Sequence, residues 1–395
     1  MASETGQKHR KPVIAGLGIT DMSRRVYGRT GPQFAADAVR LAAADAGLDI
    51  RDVDGLLTNT GLTRDVGVGL AADLSLRDMR LLSEIQAFGS SAGAMVQYAA
   101  MAVNSGMVDV VACVFGDAPI QEGGGTGDAY KGGNYTPTGF SGLPFASGSR
   151  GASSMYAMAA RRHMQTFGTT SEQFGAVAVA ARQWAAMNPL AQMRDPLSLD
   201  DHQNSRYISD PLHLFDCCLV SNGAVAVIVT SADRAASLQQ PPVHLLGWGQ
   251  THPGYIRERG SDLGITSGAA ISGPAAFKMA GLSVDDVSVA ELYDCFTYTT
   301  VISLEDYGFC AKGEGGEFVA SGAIAPGGSV PVNTGGGQLS SYYMWGMTPI
   351  SEAIIQARGQ GGERQVPDAD VVLVSGNGGL LQYHSTLLLS PHNNA

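Results

Sequence analysis

Short apolar runs and longer alanine-rich segments take turns along the first hundred residues. VIAGLGI (Val13 to Ile19) reads as a strand interrupted by glycines, and VDGLLTN (Val53 to Asn59) as the next strand. Between them, QFAADAVRLAAADAG (Gln33 to Gly47) reads as an alanine-rich helix ended by glycine. SSAGAMVQYAAMAVNSG (Ser90 to Gly106) is a further helix, and the strand VDVVACVFGD follows it. This alternation predicts an α/β protein, with helices covering a mostly buried sheet.

The second half repeats part of the first. AGLDIRDVDGLL begins at Ala46 and AGLSVDDVSVAEL at Ala280. Both run from a helix end through glycine and a short acidic turn into an apolar strand, which suggests two related halves. The second copy continues into LYDCFTYTTVISLEDYGF, where helix follows strand. ADVVLVSGNGG and LQYHSTLLLS then read as the closing strands. The expected division is a flexible tail over 1–12, one half over 13–240 and another over 241–395. Residues from about 118 to 210 are too many for a plain loop and include the helix-like GASSMYAMAARRHMQTFG. They read as an inserted, partly helical region that roofs a ligand site. Its GGGTGD run lacks the GxxxxGK[ST] pattern, so a phosphate cradle there has weak support.

Composition narrows the function classes. Of 395 residues, 44% are hydrophobic and 15% charged, which suits a chain with a large core. A formal net charge of -11 with no basic stripe argues against a nucleic-acid partner. The basic run Lys8 to Lys11 reads as a solvated leader. No apolar run approaches the roughly 18 residues of a membrane span, and no signal-peptide pattern opens the chain, so a soluble cytoplasmic protein is expected. The five cysteines form no CxxC pair, and no histidine–cysteine cluster has the spacing of a zinc site.

Candidate chemistry gathers in four loops: FGSSAG (Phe88 to Gly93), ELYDCFT (Glu291 to Thr297), NTGGGQLSSYYMWG (Asn333 to Gly346) and SGNGG (Ser375 to Gly379). Each adjoins a strand or helix end, where α/β proteins assemble their sites. Ser90 or Ser91 caps the helix it precedes or presents a hydroxyl at its N-terminus. Tyr293 is an aromatic packed under its loop or a site residue. Asp294 caps the next helix or orients a side chain. Cys295 is a buried thiol or a nucleophile with no histidine near it in sequence. Tyr342 and Tyr343 point opposite ways if extended, so one can pack while the other faces a site.

DPLHLFDCCLVSNGAVAVIV (Asp210 to Val229), ELYDCFT and the NTGGGQLS loop together resemble the thiolase superfamily, specifically sterol-carrier-protein-type thiolases and lipid-transfer-like proteins. The resemblance spans nearly the whole chain. It implies a duplicated α/β/α/β/α thiolase fold with an inserted loop domain over an acyl-CoA site, usually as a dimer. The family's catalytic positions are all changed. Ser90 stands for the nucleophilic cysteine, Tyr293 for the histidine of HDCF, Tyr343 for the histidine of GHP, and Ser375 for the second cysteine.

Two tyrosines in place of two histidines resemble the retro-aldolases of bacterial steroid side-chain degradation. Those cleave 17-hydroxy-3-oxo-pregnene-20-carboxyl-CoA to a 17-ketosteroid and propionyl-CoA. The resemblance implies Tyr293 as base and Tyr343 as acid, or the reverse, in a pocket that lowers a phenol's pKa from about 10. Ser90, Asp294, Cys295 and Ser375 would support them, and the N–H groups of Gly378 and Gly379 would hold the thioester oxygen. No cofactor is expected in this chain beyond the CoA of its substrate. A homodimer core is expected to bind an OB-fold, zinc-ribbon partner that carries any zinc and is joined to a hot-dog-fold hydratase. The alternatives are acyl transfer through a cysteine and a non-catalytic lipid-binding scaffold.

Overall fold

The apolar runs become strands and the alanine-rich segments become helices. A computed structural model describes residues 10–22, 28–59, 67–124, 129, 142–149, 151–254 and 262–393. The first half contains β1 (Pro12–Ile19), α1 (Gly31–Ala46), β2 (Gly55–Asn59), β3 (Leu81–Glu84), α2 (Ser91–Asn104) and β4 (Val110–Asp117). Two helices follow, α3 (Ala152–Phe167) and α4 (Ser171–Ala186), and then β5 (Gly223–Ser231). The second half contains β6 (Val243–Thr251), α5 (Ala269–Ala280), β7 (Val289–Glu291), α6 (Thr297–Tyr307), α7 (Met347–Ala357), β8 (Val372–Gly378) and β9 (Tyr383–Ser390). Most of the GGGTGD run, all of YKGGNY, and Lys8 and His9 lie outside the described residues.

The strands form one mixed sheet in the order β3-β2-β4-β5-β1-β6-β9-β8-β7. Outward from the β1–β6 seam, the two halves follow one plan. β1–β5 and β5–β4 are antiparallel and β4–β2 is parallel; β6–β9 and β9–β8 are antiparallel and β8–β7 is parallel. β3 adds a parallel edge to the first half only. The seam pairs only Val13 with His244 and Ile14 with Val243. There the sheet divides into two leaves. α1 covers one leaf and α5 the other, while α2 and α7 pack between them against strands of both. All eleven residues of α7 are buried, as a helix enclosed on every side requires. This is the duplicated five-layer α/β/α/β/α arrangement.

The sequence echo is a helix stop used twice. Gly47 and Gly281 end α1 and α5 in the left-handed conformation, with φ of 74° and 72°. A single 3₁₀ turn follows each, over Ile50–Asp52 and Val284–Asp286. In both, the third-position aspartate reaches back to the cap. Asp52 Oδ2 accepts from the Asp49 N–H at 3.1 Å, and Asp286 Oδ2 from the Ser283 N–H at 2.7 Å.

α3 and α4 lie between β4 and β5 in the chain and pack over the strand ends. α4 opens with a capping box between Thr170 and Gln173. A buried bond fastens α3 to α6, with His163 Nε2 3.1 Å from both carboxylate oxygens of Glu305. Among the described residues, no helix is long and apolar enough to cross a membrane.

Candidate active site

A cavity of about 1010 Å³ opens where β7 and β8 end and α2 begins, with α3 and α4 above it. Tyr293 and Tyr343 both line it, and their hydroxyl oxygens are 3.2 Å apart. The sequence separates them by fifty residues, and the fold makes them hydrogen-bond partners.

Tyr293 is held by a lattice of bonds between its own loop and the NTGGGQLS loop. Asn333 Oδ1 accepts from the Leu292 N–H at 2.7 Å. Thr334 Oγ1 donates to Glu291 Oε1 at 2.7 Å. Asp294 Oδ1 accepts from the Gln338 N–H at 2.8 Å. Gly337 explains part of that loop's glycine content, because a Cβ there would lie 2.0 Å from Asp294 Oδ2. Asp294 therefore caps the tight turn Gly337–Ser341 rather than the helix that follows it in sequence. It is fully buried and does not line the cavity. Burial raises its pKa to about 7, against the pull of the two backbone N–H groups.

Tyr343 is placed by Ser221, whose Oγ accepts from its N–H at 3.0 Å and from Gln192 Nε2 at 2.8 Å. Its neighbour Tyr342 points the other way, as the alternation of an extended segment requires. The Tyr342 hydroxyl is buried 2.6 Å from Ser351 Oγ, outside the cavity.

Several expected residues sit elsewhere or behave differently. The pocket does not lower the pKa of Tyr293. Burial raises it well above 10, the nearby Cys295 adds to this, and the bond with Tyr343 opposes it. Tyr293 is thus held as a neutral phenol. Ser90 is buried, does not line the cavity and makes no cap bond with its side chain. Ser91 Oγ instead accepts from the Ala87 N–H at 2.7 Å. The residue that meets the cavity is Gly89, where a Cβ would lie 2.1 Å from Tyr293 Cζ. The phase of that turn is one residue earlier than the Ser90 assignment. Ser375 is also away from the cavity, in a buried cluster where its Oγ is 2.9 Å from His384 Nε2. Cys295 does line the cavity, but burial raises its pKa to about 12, so it is a neutral thiol. Gly378 and Gly379 line the cavity beside the tyrosines.

The charged residues lining the cavity, among those described, are the cations Arg182 and Arg206. Arg182 Nε donates to Ser340 Oγ at 3.1 Å, which ties α4 to the tyrosine loop.

A 17-hydroxy-3-oxo-4-pregnene-20-carboxyl-CoA lyase of Mycobacterium tuberculosis is 41% identical over 357 residues, which are 88% of this chain and 91% of the lyase. The chain belongs to the thiolase superfamily, beside this lyase. A steroid side-chain-cleaving aldolase of Thermomonospora curvata is 38% identical over 376 residues, covering 92% of this chain and 95% of the aldolase. The superfamily's model described as thiolase C-terminal domain-like matches residues 249–391. A solved structure of an Ltp2-ChsH2(DUF35) aldolase superposes with a TM-score of 0.86 at 36% identity, covering 98% of this chain and 99% of that one.

Within this superfamily framework, sequence reasoning missed three groups. Gly89 lay beside two serines that drew the attention. Ser221 sits in the VSNG segment, which carried the resemblance but no assigned role. Asn377 lines the cavity and donates to the Tyr156 hydroxyl at 3.0 Å, a pairing across 221 positions that no local pattern displays.

Proposed function

We propose that Tyr293 and Tyr343 form the proton-transfer pair of a retro-aldol cleavage. The chain is a carbon–carbon lyase acting on a steroid side-chain acyl-CoA of the 17-hydroxy-3-oxo-pregnene-20-carboxyl-CoA type, and it releases a 17-ketosteroid and propionyl-CoA. The observation that carries the mechanism is the 3.2 Å contact between the two hydroxyls inside the cavity.

The reaction moves one proton from oxygen to carbon. The β-hydroxyl loses its proton as the C–C bond breaks, a ketone forms, and the electron pair passes into the thioester enolate. The enolate carbon then takes up a proton. Because burial favours the neutral phenol at Tyr293, that residue is assigned as the donor and Tyr343 as the acceptor, one of the two arrangements the sequence left open. In this reading Tyr343 acts as the base and the Tyr293 hydroxyl, 3.2 Å away, donates to its oxygen. The proton taken by Tyr343 crosses the shared hydrogen bond to replace the one that Tyr293 delivers. The pair therefore ends each turnover as it began. Backbone N–H groups at Gly378 and Gly379 are the proposed donors to the enolate oxygen. The cations Arg182 and Arg206 attract the phosphates of CoA.

Acyl transfer is disfavoured by the neutral, buried Cys295 thiol. Mixing the protein with a reactive acyl-CoA and measuring intact mass tests this, and a stable adduct on Cys295 contradicts the retro-aldol reading. Replacing either tyrosine by phenylalanine tests the pair itself.

The remaining reading concerns assembly. Residues 13–240 and 241–395 form the two halves, and about 118–210 the roof. A homodimer core carries OB-fold, zinc-ribbon partners joined to a hot-dog-fold hydratase, and zinc belongs to the partner. The relative solved as an Ltp2-ChsH2(DUF35) aldolase supports such a partner. No group of three or more histidine, cysteine or carboxylate side chains among the described residues could hold a metal. Native mass spectrometry of the co-expressed pair tests the assembly, and a fully active lone monomer contradicts it.

A further inference from the structure

Two aromatic residues precede the central helices in matching turns. Phe88 comes before Gly89 and α2, and Trp345 before Gly346 and α7. Both have φ of 49°, in the left-handed region that bulky side chains avoid. Both turns are tied alike, by Ala87 N–H to Ser91 Oγ at 2.7 Å and by Met344 N–H to Thr348 Oγ1 at 2.9 Å. The two rings meet with centroids 6.0 Å apart. Trp345 stacks on Phe115 at 5.1 Å, and Phe88 meets Tyr383 at 6.3 Å. Leu380 follows Gly379 with φ of 52° and lines the cavity with Phe88 and Trp345.

Three bulky residues in an unfavoured conformation at one wall are a concentration of backbone strain, and such strain gathers where ligands are held. Phe88 lines a cavity yet remains 42% exposed, so packing within the chain uses only part of its ring. The opposite chemistry lies on the roof side, where Arg182 projects from α4 and Arg206 precedes the short strand Tyr207–Ser209. The cavity thus has an apolar aromatic wall and two cations, and the two tyrosines line it as well.

We infer that the wall formed by Phe88, Trp345 and Leu380 seats the fused-ring body of the substrate and sets the preference for polycyclic over linear acyl groups. The inference rests on the steroid acyl-CoA reading above. A rigid hydrocarbon face covers adjoining aromatic rings with little loss of conformational freedom, whereas a linear chain must be ordered to do so. The polar end of the same substrate is left to the cations.

The test uses the full chain with its co-expressed partner, as wild type, Phe88→Gly and Phe88→Leu. Glycine accepts a φ of 49° without strain, which offsets part of the packing lost with the ring, and thermal melting confirms that Phe88→Gly is folded. Turnover of a steroid acyl-CoA is measured first, then equilibrium dialysis with a 17-ketosteroid and, separately, with propionyl-CoA. The expected result is ketosteroid binding weakened about tenfold in Phe88→Gly and less in Phe88→Leu, with propionyl-CoA binding within about twofold of wild type. Unchanged ketosteroid binding in both variants, with wild-type turnover intact, overturns this inference alone. Equal weakening for both ligands, with a changed native mass, assigns Phe88 to an interface and also overturns it. A wild-type protein that does not cleave a steroid acyl-CoA overturns the functional reading and this inference with it.

Discussion

At the end of β2 stands Asn59, and two residues before Phe88 stands Gln86. Their amides are paired, with Asn59 Nδ2 3.4 Å from Gln86 Oε1, and they also bond the local backbone. Asn59 Nδ2 reaches the Ile85 carbonyl at 2.6 Å, and Gln86 Oε1 accepts from the Phe88 N–H at 3.1 Å. In the second half the matching places, just beyond β7 and two residues before Trp345, hold Tyr293 and Tyr343. There the paired groups are hydroxyls facing the cavity. One scaffold thus carries a pair that closes its own turn and, in the other copy, a pair that lines the cavity. Under the proposed mechanism, the difference between the halves lies in which side chains fill two matched positions on similar turns.

The comparison breaks most visibly at Gly89, the point where the first half makes room for the second. A methyl group there would lie 2.1 Å from Tyr293 Cζ, so Gly89→Ala should displace the ring. Turnover should fall about 10²-fold, the scale of an ångström's misplacement of a reacting group. Steady-state kinetics beside thermal melting check this. A folded Gly89→Ala enzyme with normal rate would show that Tyr293 does not need its present position.

Asp294 sharpens the comparison, because it fastens only the tyrosine-bearing half. Its pKa is about 7 in the folded protein and near 3.8 when unfolded. Between those values the folded state holds the proton more tightly. The contribution of Asp294 to stability is therefore fully present below about pH 4 and is lost as pH rises through about 7. Asparagine has no proton to lose, so Asp294→Asn should flatten that fall by about 1–4 kcal/mol. Urea unfolding at several pH values measures the difference, and parallel curves for the two proteins would contradict the assignment.

Gln86→Ala is the structural counterpart of a tyrosine change. It removes the acceptor for the Phe88 N–H and should lower stability by about 1 kcal/mol, with turnover within a few-fold. A loss as large as that at Gly89, without unfolding, would mean the first-half turn also takes part in chemistry. Tyr342→Phe should do least to the rate. Its hydroxyl bonds Ser351 away from the cavity, so about 1 kcal/mol of stability and less than about threefold in turnover are expected to change.

How much of this was legible in the sequence depends on the kind of signal. The repeat at Ala46 and Ala280 is a helix stop followed by an aspartate-capped turn, and both are coded by neighbouring residues. The repeated half-sheets followed from it. The tyrosines stood out because two large polar aromatics occupy loops rich in glycine and small residues. The phase of the FGSSAG turn was not legible. Phe88 has a φ of 49° in a 3₁₀ turn, and Gly89 rather than Ser90 meets the cavity beside it, a placement that no local pattern displays. Ser375 shares a face of β8 with Asn377, which lines the cavity, but it lies deeper in the strand and is enclosed with His384 by packing remote in sequence. The direction of the Tyr293 pKa shift was equally hidden, since it reflects burial by segments scattered along the chain.

The most direct measurement is the steady-state rate of C–C cleavage by Tyr343→Phe and Tyr293→Phe, each confirmed as folded and bound to its partner. Each change removes one hydroxyl from the 3.2 Å pair and nearly preserves the ring. The account predicts that kcat falls by roughly 10²- to 10⁴-fold in both. Near-normal cleavage by either folded variant would contradict a paired proton transfer between the two phenols.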